Sequence, residues 1–225
     1  MLESLMDADF LAPRRCFREP IPEIFEAARL LSEAADQHLS GNSRAAEVAL
    51  AAADLPAVRA WTESLWGSAK AHPEQALYLR VRVVANPAPH LLVHERVKAR
   101  MPNAAERATL IAHYGHQCVF CRMPLIRPEV RRFFTRAYPT AAYWGNTNKT
   151  CHAAFQCMWL QYDHVLPHAR GGSNALSNLV LTCAGCNYGR VSRTLEEVGL
   201  LDPRMTPPMR SPWDGLERIL RRTLA

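Results

Sequence analysis

Apolar positions fall at helical spacing over much of the first hundred residues. Ile24, Ala28, Leu31 and Ala35 recur at intervals of three and four, so one face of a helix beginning after Pro20-Ile21-Pro22 turns inward. Ser40-Gly41-Asn42 supplies its stop. Residues 43–53 are Ala-rich and high in helix propensity. Leu55-Pro56 breaks that run, and Pro56 suits the first turn of a third helix carrying Val58, Trp61 and Leu65 inward. From residue 77 to 83, Leu and Val alternate with Tyr78, Arg80 and Arg82, a strand-like period, while the preceding HPEQAL equally starts a helix. Asn86-Pro87-Ala88-Pro89 reads as a turn or linker.

The pattern changes after residue 100. A helix over 104–114 is marked by Asn103 as its cap, Glu106 at the reciprocal position and Gly115 as its stop. Residues 128–138 fit another helix, and 141–150, with Gly145, Asn146 and Asn148, a loop. A strand over 155–164 would deliver Asp163-His164 at its end, and Gly171-Gly172-Ser173-Asn174 makes a turn. A short apolar strand over 178–182 leads to a helix from about 186 to 198. Ser211-Pro212-Trp213-Asp214 opens a last helix over 213–224. The expected fold class is α+β, with a mainly helical region over 1–100 and a second domain over 101–225 that carries an insertion near 128–158 and a C-terminal helix.

Composition narrows the function classes. At 48% hydrophobic and 21% charged, the 225 residues are globular in character and long enough for one ordinary domain plus a smaller one. No apolar run approaches the roughly 18 residues of a membrane span. Met1-Leu2-Glu3 lacks the basic start of a secretory signal, so the expected location is the cytoplasm. Seven cysteines in a reducing compartment read as metal ligands rather than disulfides. The net charge of +6 is uneven: residues 101–225 hold 15 Lys/Arg and 8 Asp/Glu, the first hundred 12 and 13. The basic half suits a polyanion, although a solvated surface would look the same. The near-neutral first hundred, with Trp61 and Trp66 on one helix, is compatible with a protein partner.

Two Cys-x-x-Cys pairs, Cys118/Cys121 and Cys183/Cys186, can clamp one tetrahedral ion. Four thiolates close its shell, so the expected ion is a structural Zn²⁺. The 61 residues between Cys121 and Cys183 make loop closure costly, and a bound ion offsets that cost. Cys151, His152 and Cys157 fit no metal spacing and read as buried or surface groups in an insertion; Cys16 reads as a core residue.

Residues 162–190, YDHVLPHARGGSNALSNLVLTCAGCNYGR, place an Asp-His pair, Asn178 and a Cys-x-x-Cys-Asn in one stretch. With the upstream cysteine pair, this resembles the HNH, or ββα-metal, endonuclease family over roughly residues 115–188. The resemblance implies metal-dependent phosphodiester cleavage leaving 5′-phosphates. Asp163 and Asn187 would hold a catalytic Mg²⁺ or Mn²⁺ with waters and phosphate oxygens. Asn178 would brace the loop that carries His164. A neutral imidazole suits His164 as general base. Arg190, one helical turn beyond Asn187, is placed to neutralise phosphate. The family often has His where Asn187 stands, and Asn is a working variant.

The chain departs from the family between Arg122 and Tyr162, a segment that is usually short. It holds Arg131, Arg132, Phe133, Phe134, Arg136, Tyr138, Tyr143 and Trp144, which would either grip a backbone and its bases or pack on the domain's own core. His168 and Arg170 are further nucleic-acid candidates, with a structural hydrogen bond as the other reading of His168. The expected activity is an endonuclease acting on DNA, with RNA left open, in a setting such as bacterial or phage defence. The alternatives are a non-catalytic zinc-stabilised module binding nucleic acid or protein, and a nuclease subunit of a multi-protein complex. Intact Asp163, His164 and Asn187 argue against a module that only binds.

Overall fold

The structure is a computed structural model that describes residues 12–98 and 101–221. The first three helices follow the apolar spacing: α1 (Pro22–Leu39), α2 (Ser43–Ala52) and α3 (Pro56–Trp66). α1 buries Ile24, Ala27, Ala28, Leu31, Ala34 and Ala35. Proline opens α1 and α3, where its missing N–H would lack an intrahelical partner in any case. Asn42 Oδ1 caps α2 by accepting from Ala45 N at 3.3 Å. The ambiguous stretch at 77–83 resolves as one helical turn, α4 (Gln75–Tyr78), followed to residue 98 by chain that is irregular apart from a 3-10 turn at Val93–Glu95. No ladder forms there, and backbone groups find separate partners instead: Arg82 N donates to Glu197 O at 2.7 Å.

The second half contains α5 (Ala104–Tyr114), α6 (Pro128–Ala137), α7 (Ala153–Cys157), strands β1 (Leu160–His164) and β2 (Leu179–Cys183), α8 (Ala184–Arg190) and α9 (Arg218–Arg221). The capping box of α5 is complete: Asn103 Oδ1 accepts from Glu106 N at 3.0 Å, and Glu106 Oε2 from Asn103 N at 2.7 Å. Gly115 ends the helix at φ 70°, where a side chain would be strained. β1 and β2 pair antiparallel, from Leu160 opposite Cys183 to His164 opposite Leu179.

Three expected elements are shorter than their patterns. The strand expected over 155–164 starts at Leu160, because its partner β2 turns into helix after Cys183; the preceding residues form α7. The helix expected over 186–198 stops at Arg190. Val191 takes φ 56°, and Thr194 with Glu197 then closes a separate turn, Thr194 N donating to Glu197 Oε2 at 2.7 Å. The last helix begins at Arg218, because Asp214 Oδ1 holds Leu216 N at 2.9 Å and Leu216 takes φ 62°. Its expected end at 222–224 lies outside the described residues.

One continuous cluster of buried side chains joins the two halves, from Ile24, Leu31 and Trp61 to Phe120, Leu181 and Cys186. α3 packs on both α7 and α8. Gly185 permits this approach: a Cβ there would stand 3.2 Å from Trp61 and 3.2 Å from Leu65. Trp61 is buried and donates its indole N–H to Glu19 O at 2.9 Å. Trp66 stacks on Tyr188 at 4.1 Å between centroids. Both tryptophans thus make contacts within the chain. Among the described residues, no helix is long and apolar enough to cross a membrane.

Truncating a buried Trp typically costs about 3–5 kcal/mol. Trp61→Ala should lower the melting temperature of the whole chain in one calorimetric transition. A second transition at the wild-type temperature would show that 101–225 folds without the N-terminal helices.

Candidate active site

The four paired cysteines converge. Their sulfurs all lie within 4.8 Å of one another, buried, in an arrangement that can hold a metal ion. Cys121 Sγ and Cys183 Sγ are 3.7 Å apart. Tetrahedral Zn²⁺ with bonds near 2.3 Å would set its sulfurs about 3.8 Å apart. The donor set therefore fits such an ion. The first pair sits on a turn after α5 that docks on β2, Cys118 N donating to Met123 O at 3.0 Å and Val119 N to Leu181 O at 2.9 Å. The second pair spans the junction of β2 and α8, with Cys186 N donating to Cys183 Sγ at 3.4 Å. Cys151, His152 and Cys157 do not form a further cluster. His152 Nε2 donates to Leu50 O at 2.9 Å, Cys151 Sγ to Gly145 O at 3.3 Å, and Cys157 Sγ faces Met123 Sδ at 3.9 Å. Cys16 is buried against Glu19.

The β1–β2–α8 unit opens onto a cleft of about 980 Å³. Asp163, His164, His168 and Asn187 line it together, although Asp163 and His164 are successive residues of one strand. Asp163 is 6% exposed. Its Oδ1 receives Arg190 at 2.6 Å, while its Oδ2 is buried with no hydrogen-bond partner. Burial pushes this carboxyl pKa up, and Arg190 acts against that shift. An orphaned buried carboxylate oxygen on a cleft wall fits a cation, since burying a charge without a partner is costly. Asn187 stands on α8, its Nδ2 donating to Gln161 Oε1 at 3.4 Å, with its amide oxygen the group suited to a hard ion.

His164 Nε2 donates to Asn174 Oδ1 at 2.8 Å. The sequence reading missed Asn174, which stood there only as the last residue of a turn. Asn178 grips the intervening loop from inside: its Oδ1 accepts from Leu166 N at 2.9 Å, and its Nδ2 donates to Leu166 O at 3.2 Å and Ser173 O at 2.9 Å. Gly172 is required beside it, because a Cβ there would collide with Leu166 O.

The arginines sit differently from their expected roles. Arg190 is 1% exposed and faces the protein. Besides Asp163, it donates to His164 O, to Val165 O at 3.0 Å and to Arg193 O at 3.1 Å. It ties α8 to β1 instead of presenting charge to a phosphate. Arg170 is also buried, paired with Glu197 at 2.7 Å and donating to Ala88 O and to Ser192 O at 3.1 Å. His168 Nε2 donates to Val97 O at 2.7 Å. In the segment expected as an insertion, Arg131 lies over Trp144 at 3.5 Å, and Arg132 is exposed beside Glu129 at 3.3 Å. Arg136 is exposed on the same helix, and none of the three lines the cleft. Phe134 is buried and Tyr138 donates to or accepts from His38 Nδ1 at 2.8 Å, so these aromatics serve the core.

Replacing Asn178 by Ala removes three hydrogen bonds from the loop that follows His164. The expected loss is about 1–3 kcal/mol, with faster amide exchange at Leu166. Unchanged exchange at Leu166 would show that the loop is held by other means.

No curated protein and no solved structure matches the chain. One family model does match, over residues 149–198: HNH endonuclease. The match takes in β1, β2, α8, the second cysteine pair and the cleft residues Asp163, His164 and Asn187, while Cys118 and Cys121 lie upstream of it. Residues 149–198 are thus similar to HNH endonucleases, a family that cleaves nucleic acid.

Proposed function

We propose that this chain is a metal-dependent endonuclease acting on DNA, with residues 101–225 as its nuclease domain and the helices of residues 12–98 as a brace packed against it. The carrying observation is the meeting of Asp163, His164 and Asn187 in one cleft, with the buried Oδ2 of Asp163 unpartnered. Asp163 and Asn187 would hold one Mg²⁺ or Mn²⁺. Such an ion, when bound, supplies positive charge where negative charge grows on the leaving oxygen. His164 takes the proton from the attacking water, the water oxygen bonds to phosphorus, and the bond from phosphorus to the 3′-oxygen breaks. The products are a 5′-phosphate and a 3′-hydroxyl. Asn174 orients the imidazole, Asn178 holds its loop, and Arg190 fixes Asp163 against α8. The four cysteines would hold a structural Zn²⁺, whose closed thiolate shell leaves no position for substrate. Seven cysteines without a disulfide suit a reducing cytoplasm.

Plasmid cleavage with added Mg²⁺ or Mn²⁺ tests the reading. His164→Ala should lower the rate by about 10²–10⁴-fold, the usual range for losing a general base. Equal cutting by wild type and His164→Ala would remove His164 from the chemistry. Elemental analysis should find about one zinc per chain, bound without added Mg²⁺. Cys183→Ser should lose that zinc and unfold the nuclease half, whereas Asp163→Ala should keep the zinc and lose cleavage.

A further inference from the structure

The cleft has a second wall that the HNH segment does not supply. It comes from the irregular chain between α4 and α5, residues 79–98, which crosses in front of β1 and α8. Val93, His94, Arg96, Val97 and Lys98 line the cleft from this side. The chain is held down at several points. Arg82 N donates to Glu197 O at 2.7 Å, Leu91 N to Ala169 O at 2.9 Å, Arg170 to Ala88 O, and His168 to Val97 O at 2.7 Å. Arg96 folds back, its Nε and Nη2 donating to Leu91 O at 3.1 and 3.0 Å. Thus His168 and Arg170, expected to meet nucleic acid, instead secure a segment that faces it.

The exposed surface of this strap is mostly apolar. Val93 is 79% exposed and Val97 45%. Across the cleft, Val191 is 68% exposed at the end of α8, with Tyr188 beside it. A rail for duplex DNA would need rows of cations facing the phosphates. Here the basic groups of the strap on the cleft are His94, Arg96 and Lys98, with Arg96 turned back onto Leu91 O and Glu95 beside them; His90 is exposed but does not line the cleft. Apolar side chains gain from contact with nucleic acid where base faces are available, in unpaired or unstacked nucleotides.

We infer that the strap residues Val93 and Val97, with Val191 on the same cleft, make it a site for unpaired nucleic acid, with base faces against the valines and Lys98 on the backbone phosphate. This rests on the nuclease reading of the same cleft. It extends that reading by naming a single strand, or a locally opened duplex, as the substrate form.

Binding is the primary measurement, because it does not depend on turnover. Fluorescence anisotropy of the full chain, without added Mg²⁺, compares a labelled 20-nucleotide single strand with its duplex. The single strand should bind at least about tenfold tighter. Val93→Ser with Val97→Ser should remove most of that preference and leave duplex affinity within about twofold. Lys98→Gln should weaken both forms and reduce the salt slope by about one. The substituted valines are exposed, so an unchanged melting temperature is expected and separates loss of contact from misfolding. Equal or tighter wild-type binding of duplex would overturn the inference, as would a Val93/Val97 double variant that keeps the preference. Failure of the wild type to cut any nucleic acid with Mg²⁺ or Mn²⁺, despite selective binding, would sink the nuclease reading alone and leave single-strand recognition standing.

Discussion

The gathering of four cysteine sulfurs within 4.8 Å fixes the geometry on which the cleft depends. It joins a turn near residue 120 to the start of α8 across a long excursion of chain. Such a closure costs conformational entropy that the short β1–β2 pair does not repay by itself. Because Cys183 ends β2 and Cys186 stands in the first turn of α8, holding their sulfurs also sets the direction of that helix. Asn187 is the next residue. Its place on the cleft wall therefore follows from the cysteines, and seven residues of helix suffice where an unsupported helix of that length would be marginal.

A second constraint acts at the other end of α8. Arg190 and Asp163 form a buried ion pair, and buried pairs stabilise only where additional hydrogen bonds satisfy the remaining groups. The two Nη groups of the guanidinium meet that condition with three backbone carbonyls, while its Nε is buried without a partner. The carboxylate does not, since one oxygen remains orphaned. Each partner thus keeps one buried unpartnered atom, Nε of Arg190 and Oδ2 of Asp163, and Asp163 lines the cleft.

Much of the local structure was legible in the sequence because its signals are short-range. The Asn103–Glu106 box, Pro56 at a helix start, Gly115 at a helix end and the two cysteine pairs each act over a few residues. The spacing of a motif singled out Asp163, His164 and Asn187 together, and these three line one cleft. What failed depended on partners far along the chain. The shortened β1 reflects where β2 turns at Cys183, and α8 stops because Val191 leaves the helical region. The outward roles expected of Arg170 and Arg190 gave way to Glu197 and Asp163, since a long side chain beside a buried carboxylate gains more by turning inward. Nothing local to residues 79–98 announced that they would lie across the motif.

That crossing has a consequence for the order in which the molecule assembles. The strap is synthesised well before residues 160–190, yet its anchors, Ala169, Arg170 and Glu197, lie far downstream. The exposed valines of the early segment must therefore wait for their counterpart while the chain grows. Pairings between distant segments form slowly, because loop entropy is lost before contacts compensate it. The topology thus places completion of the cleft late in biogenesis, so that a nascent chain holding only the helical half has no assembled cleft.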